Sequence, residues 1–286
     1  MKHSLLVMVV LGTALLHCLA SGGVSGIQSF EFEGCEVVCI QDAAMKFPPS
    51  LFTDAANTGY RPAEESFESS VNVFLVRREG KTFLIDAGND QSRGSLREKL
   101  AQMGVSVSEI TDVFITHIHP DHVGGLLWNG LPLFPNATIH IAKVEYEAWE
   151  TDPTRSALEK YLEPYAGKTH KFEYSDALPH GIVPEKRAGH TPGHTIYRLP
   201  LNGQREIVFV GDIVHAVELQ FPHPTFCARF DASPADAVVS RIQTLRMDAI
   251  LLGAHFPFPG AAYGYRVAKG APDLSFFLER IMCDLK

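Results

Sequence analysis

Several things are scarce in this 286-residue sequence. Positive charge is one: Lys and Arg number 25 against 33 Asp and Glu, a net charge of −8. No global positive field gathers a phosphate backbone, so a nucleic-acid partner is not expected. Long apolar runs are missing too. The nearest approach, Leu5 to Leu16, falls short of the roughly eighteen apolar residues that argue for a bilayer-spanning helix, which disfavours an integral membrane protein, with an uncleaved anchor as the alternative. No internal repeat, low-complexity tract or linker is visible, so one domain is preferred over two. Cysteine is sparse, with 5 residues in no zinc-knuckle spacing. What remains is 45% hydrophobic, 20% charged and 10% aromatic. That composition suits a folded chain with a sizeable core and excludes disorder, collagen and coiled coil.

Residues 1–20 read as an address. Lys2 and His3 precede the apolar run, and Cys18-Leu19-Ala20-Ser21 supplies the small residues a signal peptidase prefers. His17 is the wrong residue before a lipoprotein cysteine. The expectation is export to the periplasm or medium, a mature chain from residue 21 to 286, and no stable membrane insertion once the leader is removed. Disulfides are then permitted among Cys35, Cys39, Cys227 and Cys283. Cys35 and Cys39 do not pair with each other if one strand carries both, because four residues of strand separate them by about 13 Å.

Strand-like runs are expected at Ile27–Ile40, Val71–Arg77, Thr82–Asp86, Asp112–Thr116, Thr138–Ala142, Ile182–Arg187, Thr195–Leu199, Glu206–Val210 and Ala249–Leu252. Glu79-Gly80 predicts a hairpin turn, and residues 41–70, with Pro48, Pro49, Gly59 and Pro62, a long loop. Helices are predicted from Ser95, as a capping box with Glu98, to near Gly104; over 143–163 with a break at Pro153; from Ser233 to about Met247; and over Asp273–Leu285. The pattern is a mixed α+β one.

Chemistry concentrates where strands stop. Thr116-His117-Ile118-His119-Pro120-Asp121-His122 places three imidazoles and a carboxylate within six residues. On a strand, His117 and His119 share a face and can direct ring nitrogens to one ion, while Pro120 ends the strand and turns Asp121 and His122 onto a loop. Nitrogen and oxygen donors without thiolate suit zinc, manganese or iron(II). Gly189-His190-Thr191-Pro192-Gly193-His194 adds two imidazoles between glycines that let the backbone come close to something. Asp212 and His255 follow further strands, as Gly211-Asp212 and Gly253-Ala254-His255. Alone, Asp212 reads better as a helix cap than as a ligand. Phe221, Phe256 and Phe258 stand near these residues as core or as an apolar wall, and His140, His170, His180 and His223 read as structural or surface groups.

The His-x-His-x-Asp-His run resembles the signature of the metallo-β-lactamase superfamily, and the resemblance extends from about Val71 to Gly264. It implies a four-layer αββα sandwich with two divalent metal ions at one edge of the sheets, zinc first and manganese or iron(II) as alternatives. By position, His117, His119 and His190 would hold one ion, Asp121, His122 and His255 the other, and Asp212 would bridge them. His194 would stand behind the ligands. Aspartate at the bridge is similar to lactonases, glyoxalase II and phosphotriesterases rather than to true β-lactamases. Gly211-Asp212-Ile213-Val214-His215, Leu219-Gln220-Phe221, Phe230-Asp231, the run His255 to Gly260 and Gly264-Tyr265 most resemble the methyl parathion hydrolase branch. His215 stands where quorum-quenching lactonases tend to carry Tyr. The implied activity is hydrolysis of an ester, lactone or phosphotriester by a metal-bridging hydroxide, with Asp121 and His215 as catalytic residues and a small molecule as substrate. The rivals are a metallo-β-lactamase, a mononuclear iron sulfur dioxygenase of the same fold, and a protein that keeps metal without turnover. A homodimer is allowed.

Overall fold

The apolar runs become strands with both faces covered. In β3 (Phe67–Arg78), Val73 and Leu75 join one core cluster while Phe74 and Val76 join another. In β10 (Ile207–Gly211), Ile207 and Phe209 face the second cluster while Val208 and Val210 face a third. Successive side chains of a strand point to opposite faces, so a run that is apolar at every position must be buried on both. The computed structural model describes residues 25–263, apart from 33, 154, 155, 203 and 204. The expected leader, the helix at 273–285, Cys283 and Gly264-Tyr265 lie outside the described residues.

Seven strands form the first sheet in consecutive order: β1 (Ile27–Phe32), β2 (Cys35–Phe47), β3, β4 (Lys81–Ile85), β5 (Ile110–Phe114), β6 (Thr138–Ala142) and β7 (Thr169–Phe172). Five form the second: β8 (Val183–Lys186), β9 (Thr195–Leu199), β10, β11 (Ile250–Gly253) and β12 (Ala261–Tyr263). The second cluster lies between the sheets. The first packs the outer face of the seven-stranded sheet against α1 (Leu96–Gln102) and the segment carrying Leu158, Tyr161, Leu162 and Tyr165. The third packs the other sheet against Leu245 of α5 (Pro234–Leu245). The four layers of the expected αββα sandwich are present. No helix among the described residues is long and apolar enough to cross a membrane.

Several local expectations are corrected. The run Ile27–Ile40 divides into β1 and β2 at a turn where Gly34 takes a φ of 74°. The loop predicted over 41–70 shrinks to 48–66, because β2 continues to Phe47 and β3 starts at Phe67, the two residues being paired, and it carries a short strand of its own, Phe52–Asp54, paired with Phe226–Ala228. The polar residues Gln41, Asp42 and Lys46 hid this extension. Ser95 does not form its capping box. Its hydroxyl donates to the Asp42 carbonyl, and the N–H groups of Ser95 and Leu96 donate to Asp42 Oδ1 at 2.7 and 2.8 Å. A carboxylate from β2 caps α1 instead. The Glu79-Gly80 hairpin is as expected, both residues having positive φ. Cys35, Cys39 and Cys227 are buried free thiols, and burial pushes Cys35 up to about 11.

Parallel pairing of β4, β5 and β6, and of β10 with β11, sets their C-terminal ends side by side. Asp86, His117, Asp212 and His255 all follow such ends.

Candidate metal centre

The histidine run does not sit on a strand. β5 stops at Phe114, and residues 115–119 follow as extended loop, anchored where Thr116 N–H donates to Asp86 Oδ1 at 2.8 Å and Thr195 N–H to the Thr116 carbonyl at 3.0 Å. Pro120 opens a short helix, α2 (Pro120–Val123), with His119 as its N-cap. Asp121 and His122 therefore leave on a helical turn rather than a loop. Proline suits the first helical position, where its missing N–H costs nothing.

Two donor groups share one carboxylate. His117 Nε2 and His190 Nε2 each lie 2.9 Å from His119 Nδ1. On the other side, His255 Nε2 lies 3.4 Å from Asp121 Oδ2 and His122 Nε2 lies 3.9 Å from Asp121 Oδ1. Asp212 stands between them. Its Oδ1 is 3.0 Å from His122 Nε2, and its Oδ2 is 3.1 Å from His190, 3.2 Å from His255 and 3.6 Å from His117. His117, His119, His190 and Asp212 form one cluster of donor atoms within 4.8 Å of one another, and Asp121, His122 and His255 another.

The far nitrogen of each ring decides what the near one offers. His122 Nδ1 faces Asp86 Oδ2 at 2.9 Å, His190 Nδ1 faces Asp231 Oδ1 at 2.9 Å, and His255 Nδ1 faces the Ser70 carbonyl at 2.7 Å. These oxygens can only accept, so each Nδ1 carries the proton. Thr116 Oγ1 donates to Asp86 and thus accepts from His117 Nδ1 at 3.0 Å. Four rings then turn Nε2 toward the oxygens of Asp212. Lone pairs facing a carboxylate repel unless a proton or a cation lies between them. His122 Nε2 and Asp212 Oδ1 are buried and without hydrogen-bond partners, so the donor set fits metal ions.

Charge follows from the same arrangement. Burial alone would raise Asp212, but His122, His255, His117 and His190 outweigh it and hold the carboxyl well below the usual range. Burial opposes a charge on His255, yet Asp212 and Asp121 push that ring up to about 10. His119 falls to about 3 through burial and the neighbouring His190.

Other residues stand around the donors. His194 is outside both clusters: its Nε2 accepts the Asp212 N–H at 3.0 Å. His215 Nε2 lies 3.2 Å from Asp212 Oδ2, and burial takes that ring down to about 4. Phe230, 41% exposed, lies edge-on to the His215 ring at 4.9 Å and to His190 at 5.6 Å. Phe47 lies 5.7 Å from His255, and Trp149 5.8 Å from His119. Phe221 and Phe256 are not such walls: they pack on each other at 5.5 Å in the core behind β10, and Phe258 packs between the sheets. Gly189 and Gly193 do bring the backbone close. An added Cβ would stand 2.1 Å from Ala237 N of α5 and 2.4 Å from Glu145 N respectively.

Sequence reasoning missed Asp86, Asp231 and Phe47. Asp86 obeys the same pattern of an apolar strand ending in an acid, and its φ of 59° marks backbone held out of its ordinary region. Asp231 enters the sequence reading only within Phe230-Asp231, as part of the resemblance and with no role. A buried guanidinium, Arg241 of α5, stands 3.6 Å from its other oxygen.

A sequence profile of the metallo-beta-lactamase superfamily matches residues 67–268. Ribonuclease Z of Halobacterium salinarum is 31% identical over 159 residues, covering 48% of this chain and 49% of that protein. Metallo-beta-lactamase domain-containing protein 1 of Xenopus laevis is 40% identical over 129 residues, covering 45% and 46%. The chain thus spans about half the length of these curated relatives. Among solved structures, the hydrolase AbOPH of the beta lactamase superfamily superposes with a TM-score of 0.76 at 28% identity, over 87% of this chain and 96% of that one. AidC, a dizinc quorum-quenching lactonase in complex with a product, gives 0.74 at 25% identity, over 87% and 95%. With its two facing sheets and its strand-end histidines, this chain belongs to the metallo-beta-lactamase superfamily.

Proposed function

We propose that the chain is a dinuclear metallohydrolase of uncharged ester-like bonds (ester, lactone or phosphotriester), close to the methyl parathion hydrolase branch. One observation carries this reading: the two oxygens of Asp212 reach His122 on one side and His117 and His190 on the other, so a single carboxylate joins both donor clusters. His117, His119 and His190 would hold one divalent ion, Asp121, His122 and His255 the other, and Asp212 both, with zinc the first choice for nitrogen and oxygen donors. Bound there, the ions would supply Lewis acidity and a water acidic enough to lose its proton near neutral pH.

The chain's own groups do the rest. Asp86 and Asp231 hold the Nδ1 protons of His122 and His190, which keeps Nε2 turned inward. Asp121 has the most exposed side chain of the bridging and second-cluster donors, at 30%, and is the carboxylate nearest an entering molecule. His215 orients Asp212 and is placed to pass a proton toward a leaving group. Trp149, Phe47 and Phe230 give the approach apolar walls. No Lys or Arg among the described residues pairs with Asp121, Asp212 or the six surrounding imidazoles, an arrangement that suits an uncharged substrate better than a phosphodiester chain. The dizinc lactonase and the hydrolase among the structural neighbours support the same class.

Elemental analysis is expected to find two divalent ions per chain. Turnover of a p-nitrophenyl ester, a lactone or paraoxon should vanish with a chelator and return with zinc or manganese, with nitrocefin a poorer substrate. Absent or chelator-insensitive turnover on every class would overturn the proposal, and a single iron per chain would favour the sulfur dioxygenase reading. Export is part of the proposal, and cell fractionation with and without residues 1–20 checks it.

A further inference from the structure

Glu145 is a fully buried acid in the first turn of α3 (Lys143–Thr151), and among the described residues no lysine or arginine pairs with it. Its Oε1 accepts from the Ile118 N–H at 3.1 Å and from the Trp149 indole N–H at 2.8 Å. Its Oε2 accepts from the Gly193 N–H at 2.9 Å. Ile118 lies between His117 and His119, and Gly193 lies three residues after His190 and just before His194. The first of these segments follows β5 of the seven-stranded sheet, and the second precedes β9 of the five-stranded sheet. One side chain thus bridges the two loops that supply His117, His119 and His190.

The residue type follows from the donors. Three N–H groups arrive from three directions, and a carboxylate offers only acceptors. A glutamine would turn its own NH2 toward one of them. An unpaired acid is costly to bury, and burial pushes Glu145 above its ordinary range although hydrogen bonds from Ile118, Thr191, Trp149 and Gly193 pull it back. A leucine would fill such a place without that cost, but it could not hold two loops in register. Gly193 completes the contact, since a Cβ there would meet the Glu145 backbone at 2.4 Å.

We propose that Glu145 is a positioning residue that sets the spacing between His117/His119 and His190, and so governs affinity for the first ion while leaving the cluster of Asp121, His122 and His255 unchanged. This rests on the dinuclear reading. The test is a zinc titration against a chromophoric chelator. For Glu145→Gln, one of the two zinc affinities should fall about 10–100-fold, as for loss of partners that orient metal ligands, while the other stays within about twofold. Excess zinc should restore kcat with KM little changed, which a merely destabilised variant would not show. Glu147→Gln, exposed on the same helix, serves as the control. Native protein that takes up no zinc would defeat the dinuclear reading itself. Two unaltered affinities in a folded Glu145→Gln would leave that reading standing and overturn this one. If the variant does not fold, amide exchange of the native protein decides: zinc should slow the Ile118 and Gly193 amides together, and independent exchange at those two sites would overturn the proposal.

Discussion

Asp112 and Asp212 are both buried carboxylates clasped by imidazoles, yet only Asp212 stands among clusters of donor atoms that could hold a metal ion. Asp112 Oδ1 faces His140 Nε2 at 2.8 Å, and its Oδ2 faces His180 Nε2 at 2.7 Å. The two rings stack on Phe114 and Phe83, each at 4.7 Å. Every oxygen has one partner, and the cluster ties β5 and β6 of one sheet to the turn that enters the other. Asp212 instead has two oxygens among five rings, with His122 Nε2 and its own Oδ1 left without hydrogen-bond partners. A closed set of hydrogen bonds holds structure, whereas an excess of inward lone pairs asks for cations. Residue type is common to both; saturation differs.

The widest separation is expected at Asp212 itself. Asp212→Asn should lower turnover by about 10³-fold or more and reduce the bound metal, since it removes the bridge between both donor clusters. Asp112→Asn should leave metal content and turnover within about twofold; a comparable loss there would break the distinction. Next comes Asp231→Asn, expected to weaken metal affinity or activity about 10–100-fold because His190 loses the acceptor that fixes its proton. Metal titration and initial rates read it.

Stability sharpens the contrast from the other side. Asp112→Asn should cost about 1–3 kcal/mol in denaturant unfolding of the metal-free protein, by breaking buried hydrogen bonds. Burial would raise Asp112, but hydrogen bonds from His140 and His180 outweigh it and hold its carboxyl well below the usual range. A depressed acid stabilises the fold at pH values above its unfolded pKa of about 3.9, and that contribution is lost as pH falls toward the folded value. The native advantage over Asp112→Asn should therefore be full at neutral pH and shrink below about pH 4. An advantage that grew on acidification would contradict the assignment. The smallest effect is expected for His170→Ala, about 0.5 kcal/mol or less, because this exposed ring makes one hydrogen bond, to His140 Nδ1 at 3.1 Å, at a place water can reach.

Legibility followed the range of each interaction. The run from His117 to His122 was readable because its four donors lie within six residues, and His190, Asp212 and His255 because each sits beside a strand or a glycine turn. The strand-like apolar runs and the recurring helices made a mixed α+β fold legible. The capping of α1 was misread because its acceptor, Asp42, lies 53 residues away from Ser95 on a strand of another part of the sheet. Phe221 and Phe256 were unassignable between core and wall, since proximity in sequence to a ligand says nothing about which side of a sheet a ring occupies. Phe47, by contrast, is far in sequence from His255 and His215 and touches both.

By itself the sequence determined the kind of donor, nitrogen and oxygen without sulfur, and the apolar strands that end in them. Tertiary structure decided which atom of each donor faces inward. The groups that hold the Nδ1 protons of His122, His190 and His255 lie 36, 41 and 185 residues away, and a ring's orientation depends on such contacts because an imidazole can turn either nitrogen toward a site until something fixes the other.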